Sequence, residues 1–199
     1  MTLTLPQLQF ANATFVTPFL AVGGDLDMYS GELAKRQAVD LSANGISHIL
    51  DVRQECSDEL VWNQVPDMTY RWDGIDDAGQ RVPVEWFEGV VTWALKALEE
   101  PDARLLTHCH MGVNRGPSAG YAVLLGLGWD PLTAVDAIRV VRPIAYIAYA
   151  EGALRWHHWK TGATAEERHH DLAAVQQWRQ ENHLDVAHVI RTVRAQESS

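Results

Sequence analysis

Apolar residues recur along the chain with two different periods, and the switches between them mark an alternation of strands and helices. Thr14 to Val16 and Phe19 to Val22 are short extended runs split by Pro18, and Gly23-Gly24-Asp25 reads as a turn. Leu33, Ala34, Gln37, Ala38 and Leu41 then fall at helical spacing, with Ser30 placed to cap a helix over 30–43 and Asn44-Gly45 to end it. Ile46 to Val52 is the next strand, and Met68 to Trp72 is an extended run leading into the polar stretch Asp73 to Arg81. Glu85 to Leu98 carries Trp86, Val90, Trp93 and Ala97 on one stripe and Phe87, Val91, Leu95 and Leu98 on another, a breadth that requires burial on two sides.

The second half repeats the pattern. Ala103 to Thr107, with Leu105 and Leu106 at its centre, suits a buried strand, and Gly116-Pro117-Ser118 leads into a helix over Ala119 to Leu127. Asp130-Pro131 supplies an N-cap and a first-turn proline for Leu132 to Val141, and Arg142-Pro143 stops that helix. Ala145 to Trp159 is expected to form one more, with Trp156 and Trp159 packed in the core. Lys160 to Thr164 reads as a linker before helices over Ala165 to Gln180 and Asp185 to Arg194. Val186, Val189, Ile190 and Val193 form a narrow apolar stripe on the last helix. Packing back on the domain is the expected use of that stripe, the alternatives being a second copy of the chain or another protein.

Strands alternating with helices predict an α/β fold, a central mostly parallel sheet flanked by helices on both faces, over residues 1–160. Residues 161–199 are a C-terminal helical extension. In such sheets ligands sit beyond the carboxyl ends of the strands, where the residues after Thr107 fall.

Those residues carry the chemistry. In His108-Cys109-His110-Met111-Gly112-Val113-Asn114-Arg115 a single cysteine precedes an arginine by six positions, between a strand and a helix entry. Backbone N–H groups of a strand-loop-helix unit converge with the helix N-terminus on one concavity, which favours a phosphate. The same field lowers a thiol pKa from about 8.5 toward roughly 3.5 to 7.5, so Cys109 is expected to be largely ionised. Gly112 lets the loop turn tightly, and the planar guanidinium of Arg115 can fold back onto two phosphate oxygens.

His-Cys, five residues and Arg, followed here by Gly-Pro-Ser, resembles the signature of the cysteine-dependent protein tyrosine phosphatase superfamily, and the glycine three after the cysteine looks most like its dual-specificity branch. The resemblance spans about Thr14 to Trp159 and implies a phosphate monoester hydrolase working through a cysteinyl-phosphate, with no cofactor. Cys109 is then the nucleophile, and His110, Met111, Gly112, Val113, Asn114 and Arg115 bind the phosphate. A general-acid aspartate belongs about thirty residues upstream; Asp77 is the first choice, with Asp76 and Asp73 as neighbours expected to hydrogen-bond in support. His108 is expected to orient the loop rather than to move protons.

Two departures from the family pattern stand out. Gly116 replaces the serine or threonine whose hydroxyl helps the thiolate depart, which implies slow breakdown of the intermediate and leaves Ser118 as the nearby hydroxyl. Asn114 replaces a small hydroxyl residue or glycine, and its amide can still bond within the loop. The alternative reading is accordingly a phosphate-binding module that turns over poorly.

Other chemistries are weaker. Dense histidines (His108, His110, His157-His158, His169-His170) lack zinc-site spacing, and adjacent strand residues point to opposite faces, so no metal is expected. A net charge of −10 disfavours nucleic acid, and no run is long enough to span a bilayer. The loop lacks the lysines that phosphoinositide-directed relatives carry, which favours a monophosphate on a protein or small molecule. With two cysteines in 199 residues the chain suits a reducing cytoplasm, Cys56 being an inert thiol unless it approaches Cys109. Arg53 is expected to pair with Asp51 or Glu55, or else to lend charge to the site. Arg142 is expected at the surface or beside a carboxylate, the alternative being the pocket rim.

Overall fold

The computed structural model describes residues 5–197. β1 (Ala13–Thr17) and β2 (Leu20–Gly23) form an antiparallel hairpin at one edge of a five-stranded sheet. β3 (His48–Arg53), β4 (Thr69–Ile75) and β5 (Leu105–His108) complete it in the order β1-β2-β5-β3-β4, and every pairing except β1 with β2 is parallel. The mostly parallel α/β architecture predicted from the alternation is the one observed. Because β2, β5 and β3 run the same way, Gly23, His108 and Arg53 finish at one edge, with Gly23 and Asp51 each in register with His108.

Strand side chains alternate between two cores. Ala21, Ile49 and Leu106 face α1 (Gly31–Ala43) and Trp62 of α2 (Glu59–Trp62), where Ala34, Ala38 and Leu41 meet them. Leu20, Val22, Leu50, Val52 and Leu105 point the other way, onto α3 (Val84–Leu98), α4 (Arg115–Gly126), α5 (Pro131–Val141) and α6 (Ala150–Thr161). Burial on both faces is why these strands read as continuous apolar runs. Helix ends follow local chemistry: the Ser30 hydroxyl accepts from Leu33 N–H, and the Asp130 carboxylate from Thr133 N–H.

Three elements differ from the sequence expectation. α2 was not anticipated; four residues are too few to show a helical period, yet they seat Trp62 at 1% exposure. α4 begins at Arg115 rather than Ala119, because Ser118 N–H already closes a helical turn on the Asn114 carbonyl at 2.9 Å. α6 begins at Ala150 rather than Ala145, because the preceding N–H groups are engaged elsewhere. Tyr146 and Ile147 donate to the Val113 carbonyl, Ala148 to Asn114 Oδ1 and Tyr149 to Ser118 Oγ, and Ile147 adopts φ 56°. Of the two tryptophans expected in the core, Trp159 faces outward, 61% exposed, whereas Trp156 is buried and donates to Glu88 at 2.8 Å.

Gly162 ends α6 in the left-handed conformation, and a capping box between Thr164 and Glu167 starts α7 (Ala165–Glu181) almost at once. Val175 and Trp178 of α7 enter the same core as α3 to α6. In α8 (Val186–Glu197) Val189 is buried, and Val193 lines a cavity of about 270 Å³ with Leu26, Met28, His110 and Ile144. Among the described residues no helix is long and apolar enough to cross a membrane.

Candidate active site

The loop from β5 to α4 occupies the strand-end edge and is anchored from three sides. Cys109 N–H donates to the Gly23 carbonyl at 3.2 Å, and Asp25 N–H to the His110 carbonyl at 3.0 Å, fastening the loop to the end of β2. Gly112 has φ 65°, and a Cβ there would collide with the Gly23-Gly24 backbone and with Arg142, so both conformation and space require glycine. Arg142 is buried behind the loop. Its Nε donates to the Gly112 carbonyl at 2.7 Å and its Nη2 to the Met111 carbonyl at 3.1 Å and Asn12 Oδ1 at 2.8 Å. Burial pulls its pKa down to about 10, and the charge of Cys109 opposes the fall. Arg142 therefore sits neither at the surface nor beside a carboxylate, contrary to the sequence expectation; three carbonyl oxygens hold its charge. Its place behind the loop, following a helix-stopping Arg-Pro, was not readable without the return path of α5.

Cys109 lies at the base of the loop, 2% exposed, and Val113 is 5% exposed beside it. Arg115 opens α4 and turns back toward the site. Its Nη1 and Nη2 donate to the two oxygens of Glu55 at 2.6 and 2.7 Å, its Nη1 also reaches the Ile75 carbonyl at 3.1 Å, and its Nε faces Asp77 Oδ2 at 3.4 Å. Burial alone would lower its pKa, but the hydrogen bonds to Glu55 and the charges of Cys109, Glu55 and Asp77 raise it overall. Glu55 in turn is held well below its ordinary value, at about 2, by those hydrogen bonds. Sequence reasoning had offered Glu55 to Arg53 and missed this partnership.

Asp77 sits on the loop after β4, 37% exposed, with Oδ1 accepting from Asn114 Nδ2 at 2.5 Å and from the Tyr149 hydroxyl at 3.2 Å. Asp76 turns back to accept from Asp77 N–H at 2.7 Å, and Asp73 pairs with Arg71. The structure thus brings Cys109, Arg115, Asn114 and Asp77 to one place and leaves Asp76 and Asp73 outside it. Burial and the Asp77 charge push the Tyr149 phenol up to about 12, so it donates at neutral pH. Tyr149 is a second residue the sequence does not reveal, since it falls within the stretch Ala145 to Trp159 whose composition is helical.

Gly116 has no room for the missing hydroxyl: an added Cβ would lie 2.9 Å from Cys109 N and from His108 backbone carbons. Ser118 is buried, and its hydroxyl accepts from Tyr149 N–H at 3.3 Å; among the described residues it has no hydrogen bond to Cys109. Gly116 instead uses its carbonyl to accept from the Thr107 hydroxyl at 2.8 Å, joining α4 to β5.

Beneath the loop lies a buried charge cluster. Arg53, fully buried, is gripped by Asp51 through Nε at 2.9 Å and Nη2 at 2.6 Å, and also pairs with Asp25 at 3.0 Å and Asp58 at 2.6 Å. Burial raises the Asp51 pKa, yet the Arg53 hydrogen bonds outweigh it, and the net shift is downward. Asp25 also takes His110 Nδ1 at 2.8 Å, tying the loop to this cluster. His108 is 1% exposed, its Nε2 is 3.7 Å from Asp51, and neither ring nitrogen has a hydrogen bond among the described residues. Burial lowers its pKa, so it is neutral. Asp51, Asp58 and His108 come near enough to share an ion, but the Arg53 guanidinium already lies between the two carboxylates, and an ion could enter only by displacing it. Cys56 is a partly buried free thiol whose pKa burial raises.

A histidine-lined cavity of about 560 Å³ lies between α6 and α7, where His158 and His170 both pair with Asp171.

No protein-family model matches the chain, and neither does any curated protein. Solved structures do. PTPMT1 in complex with PI(5)P superposes with a TM-score of 0.63 at 16% identity, over 76% of this chain and 97% of that one. Human DUSP28 gives 0.61 at 16% identity, over 76% and 99%. The human tyrosine phosphatase-like serine/threonine/tyrosine-interacting protein gives 0.59 at 15%, over 75% and 97%. At these identities the likeness is one of fold. The chain has the fold of the dual-specificity phosphatase-like protein tyrosine phosphatases.

Proposed function

We propose that the chain is a cysteine-dependent phosphate monoester hydrolase. The observation that carries this reading is the approach of a carboxylate from the loop after β4 to the cysteine and guanidinium of the β5–α4 loop, with Arg115 Nε 3.4 Å from Asp77. A phosphate seated in the loop would draw Arg115 away from Glu55. The Cys109 thiolate attacks phosphorus, the P–O bond to the leaving group breaks, and Asp77 gives its proton to the departing oxygen. Water then attacks the cysteinyl-phosphate, Asp77 takes its proton, and the S–P bond breaks to return the thiolate with inorganic phosphate. Loop amides and Arg115 hold the equatorial oxygens through both steps.

A phosphate monoester on a protein or small molecule suits this loop better than a polyphosphorylated ligand. His110, Met111, Gly112, Val113 and Asn114 include no lysine or arginine, and Asp25 and Asp27 stand in the cavity beside His110. The free thiols and the need for an unoxidised nucleophile favour a reducing compartment such as the cytoplasm. Hydrolysis of an aryl phosphate should vanish in Cys109→Ser and fall by about 10²- to 10⁴-fold in Asp77→Asn. Activity surviving in Cys109→Ser would overturn the assignment.

One observation favours a second reading, a phosphate binder that turns over slowly. With no hydroxyl side chain at Gly116, and no hydrogen bond from Ser118 to Cys109 among the described residues, the second step has no hydroxyl set to donate to the departing sulfur. A stoichiometric burst of phenol before a slow steady state is expected, and linear release from the first turnover would exclude a slow second step.

A further inference from the structure

We propose that Asn114 is the positioning residue for the general acid, a tether that holds Asp77 over the nucleophile. The inference rests on the reading above in which Asp77 is that acid.

The loop carrying Asp77 is exposed, and its internal bonds do not fix it relative to Cys109. Asp77 N–H to Asp76, Ala78 N–H to Gln80 and Gln80 to the Asp76 carbonyl all close within the loop itself. Three side chains reach Asp77 from elsewhere: Asn114, Arg115 and Tyr149. Arg115 must turn to the phosphate during the reaction, and so cannot keep the carboxylate in place. Tyr149 accepts from Gly79 N–H at 3.3 Å and also faces the Asp76 carbonyl and Gln80 Oε1, so it fastens the acid loop to the segment before α6, not to the phosphate-binding loop. Asn114 is the one rooted in that loop whose hydrogen-bonding groups the phosphate does not claim.

Its carboxamide is used at both ends. Oδ1 accepts Ala148 N–H at 2.6 Å, and Nδ2 donates to Asp77 Oδ1 at 2.5 Å. A peptide N–H can only donate, so the amide oxygen must face Ala148 and the nitrogen must face Asp77. The bond to Ala148 thereby aims the donor. Serine or glycine at this position could not do the same, since a hydroxyl is one atom shorter and has a single oxygen for both partners. The unusual residue just before the arginine thus joins three segments: the phosphate-binding loop, the general-acid loop and the turn before α6.

Loss of the tether should be felt where protonation of the leaving group matters. With aryl phosphates running from an acidic leaving group, 2,4-dinitrophenol, to phenol itself, Asn114→Ser should lose about 3-fold in kcat/KM, which reads the step that expels the phenol, at the acidic end and about 10²-fold with phenyl phosphate. Asn114→Asp keeps the acceptor for Ala148 but sets a carboxylate against Asp77, and should steepen the series likewise. Inhibition by inorganic phosphate should shift far less than kcat/KM with phenyl phosphate, and the kcat/KM series of Asp77→Asn supplies the reference slope. If both Asn114 variants lose activity equally with every leaving group while Asp77→Asn steepens, the tether is refuted and Asp77 stands. If Asp77→Asn is itself flat, Asp77 is not the acid and the inference falls with it. Should Asn114→Ser fail to fold, Asn114→Asp decides by the same criteria.

Discussion

Glu55 grips Arg115 end-on, one carboxylate oxygen on each terminal nitrogen of the guanidinium. An oxyanion in the loop needs those same donors, so Glu55 holds the arginine in place before binding and competes for it during binding. Glu55→Gln keeps the shape but removes the charge. Inorganic phosphate and arsenate should then inhibit about 3- to 10-fold more tightly, with the competitive inhibition constant as the measurement.

The same pair sets an acid limit. The Glu55 pKa is about 2 in the fold, because Arg115 hydrogen-bonds its charged form, against about 4.3 in an unfolded chain. A depressed carboxylate stabilises the fold above the unfolded value, and that stabilisation is lost as pH falls through the folded one. Wild type should therefore lose stability relative to Glu55→Gln between about pH 4.5 and 2. Glu55 is half exposed, so the difference should stay near or below about 1 kcal/mol. Denaturant midpoints of the two proteins across that range measure it.

Restoring the hydroxyl that the family carries after its arginine should harm this protein. In Gly116→Ser the new Cβ would press on Cys109 and His108 backbone 2.9 Å away, which must move. Over-packing of this kind costs about 1 to 3 kcal/mol, and steady-state turnover should fall rather than rise. A lowered Tm together with a lowered kcat is the expected outcome.

Arg142→Met should leave the Gly112 and Met111 carbonyls and the Asn12 amide oxygen without their donor. Buried unsatisfied acceptors cost about 1 to 3 kcal/mol each, so a loss of at least that size is expected in chemical denaturation. Phosphate inhibition should weaken in parallel, because the same loop carries the amides proposed to bind it.

Trp178→Ala should test how firmly α7 belongs to the rest. Trp178 is 6% exposed, donates to Asp136 at 3.1 Å and lies under Arg139 at 5.2 Å from its ring. Removing it should cost about 3 to 5 kcal/mol. Activity should fall as well: Arg179, one residue on, donates to the Ile147 carbonyl in the segment that supports Asn114 and Ser118.

Much of the frame could be read from residue patterns because it rests on local rules. The short apolar run of β2 and the longer one of β3 announced strands, and Ser30 and Asp130 announced helix starts. The motif from His108 to Arg115 announced a loop at a strand end. What stayed hidden was set by long-range partners. Ala145 to Tyr149 has helical composition, but its N–H groups bond to Val113, Asn114 and Ser118, which no local pattern records. Arg142 looked like a surface charge because its partners are backbone carbonyls, which carry no residue-type signal. Glu55 and Arg115 lie sixty positions apart, and only the parallel register of β3 with β5 places them face to face.

The contact between Gly112 and Gly23-Gly24 is bare chain against bare chain, with Asn12 and Arg142 filling the flanks. A seam without side chains has nothing that can rotate to absorb strain. The hairpin edge and the loop from β5 to α4 must therefore shift as one body or not at all. A methyl at Gly112 would press on Gly23, Gly24 and Arg142, and one at Gly24 on Asn12 and the His110 carbonyl, so a lesion on the hairpin side would register as a misshapen loop.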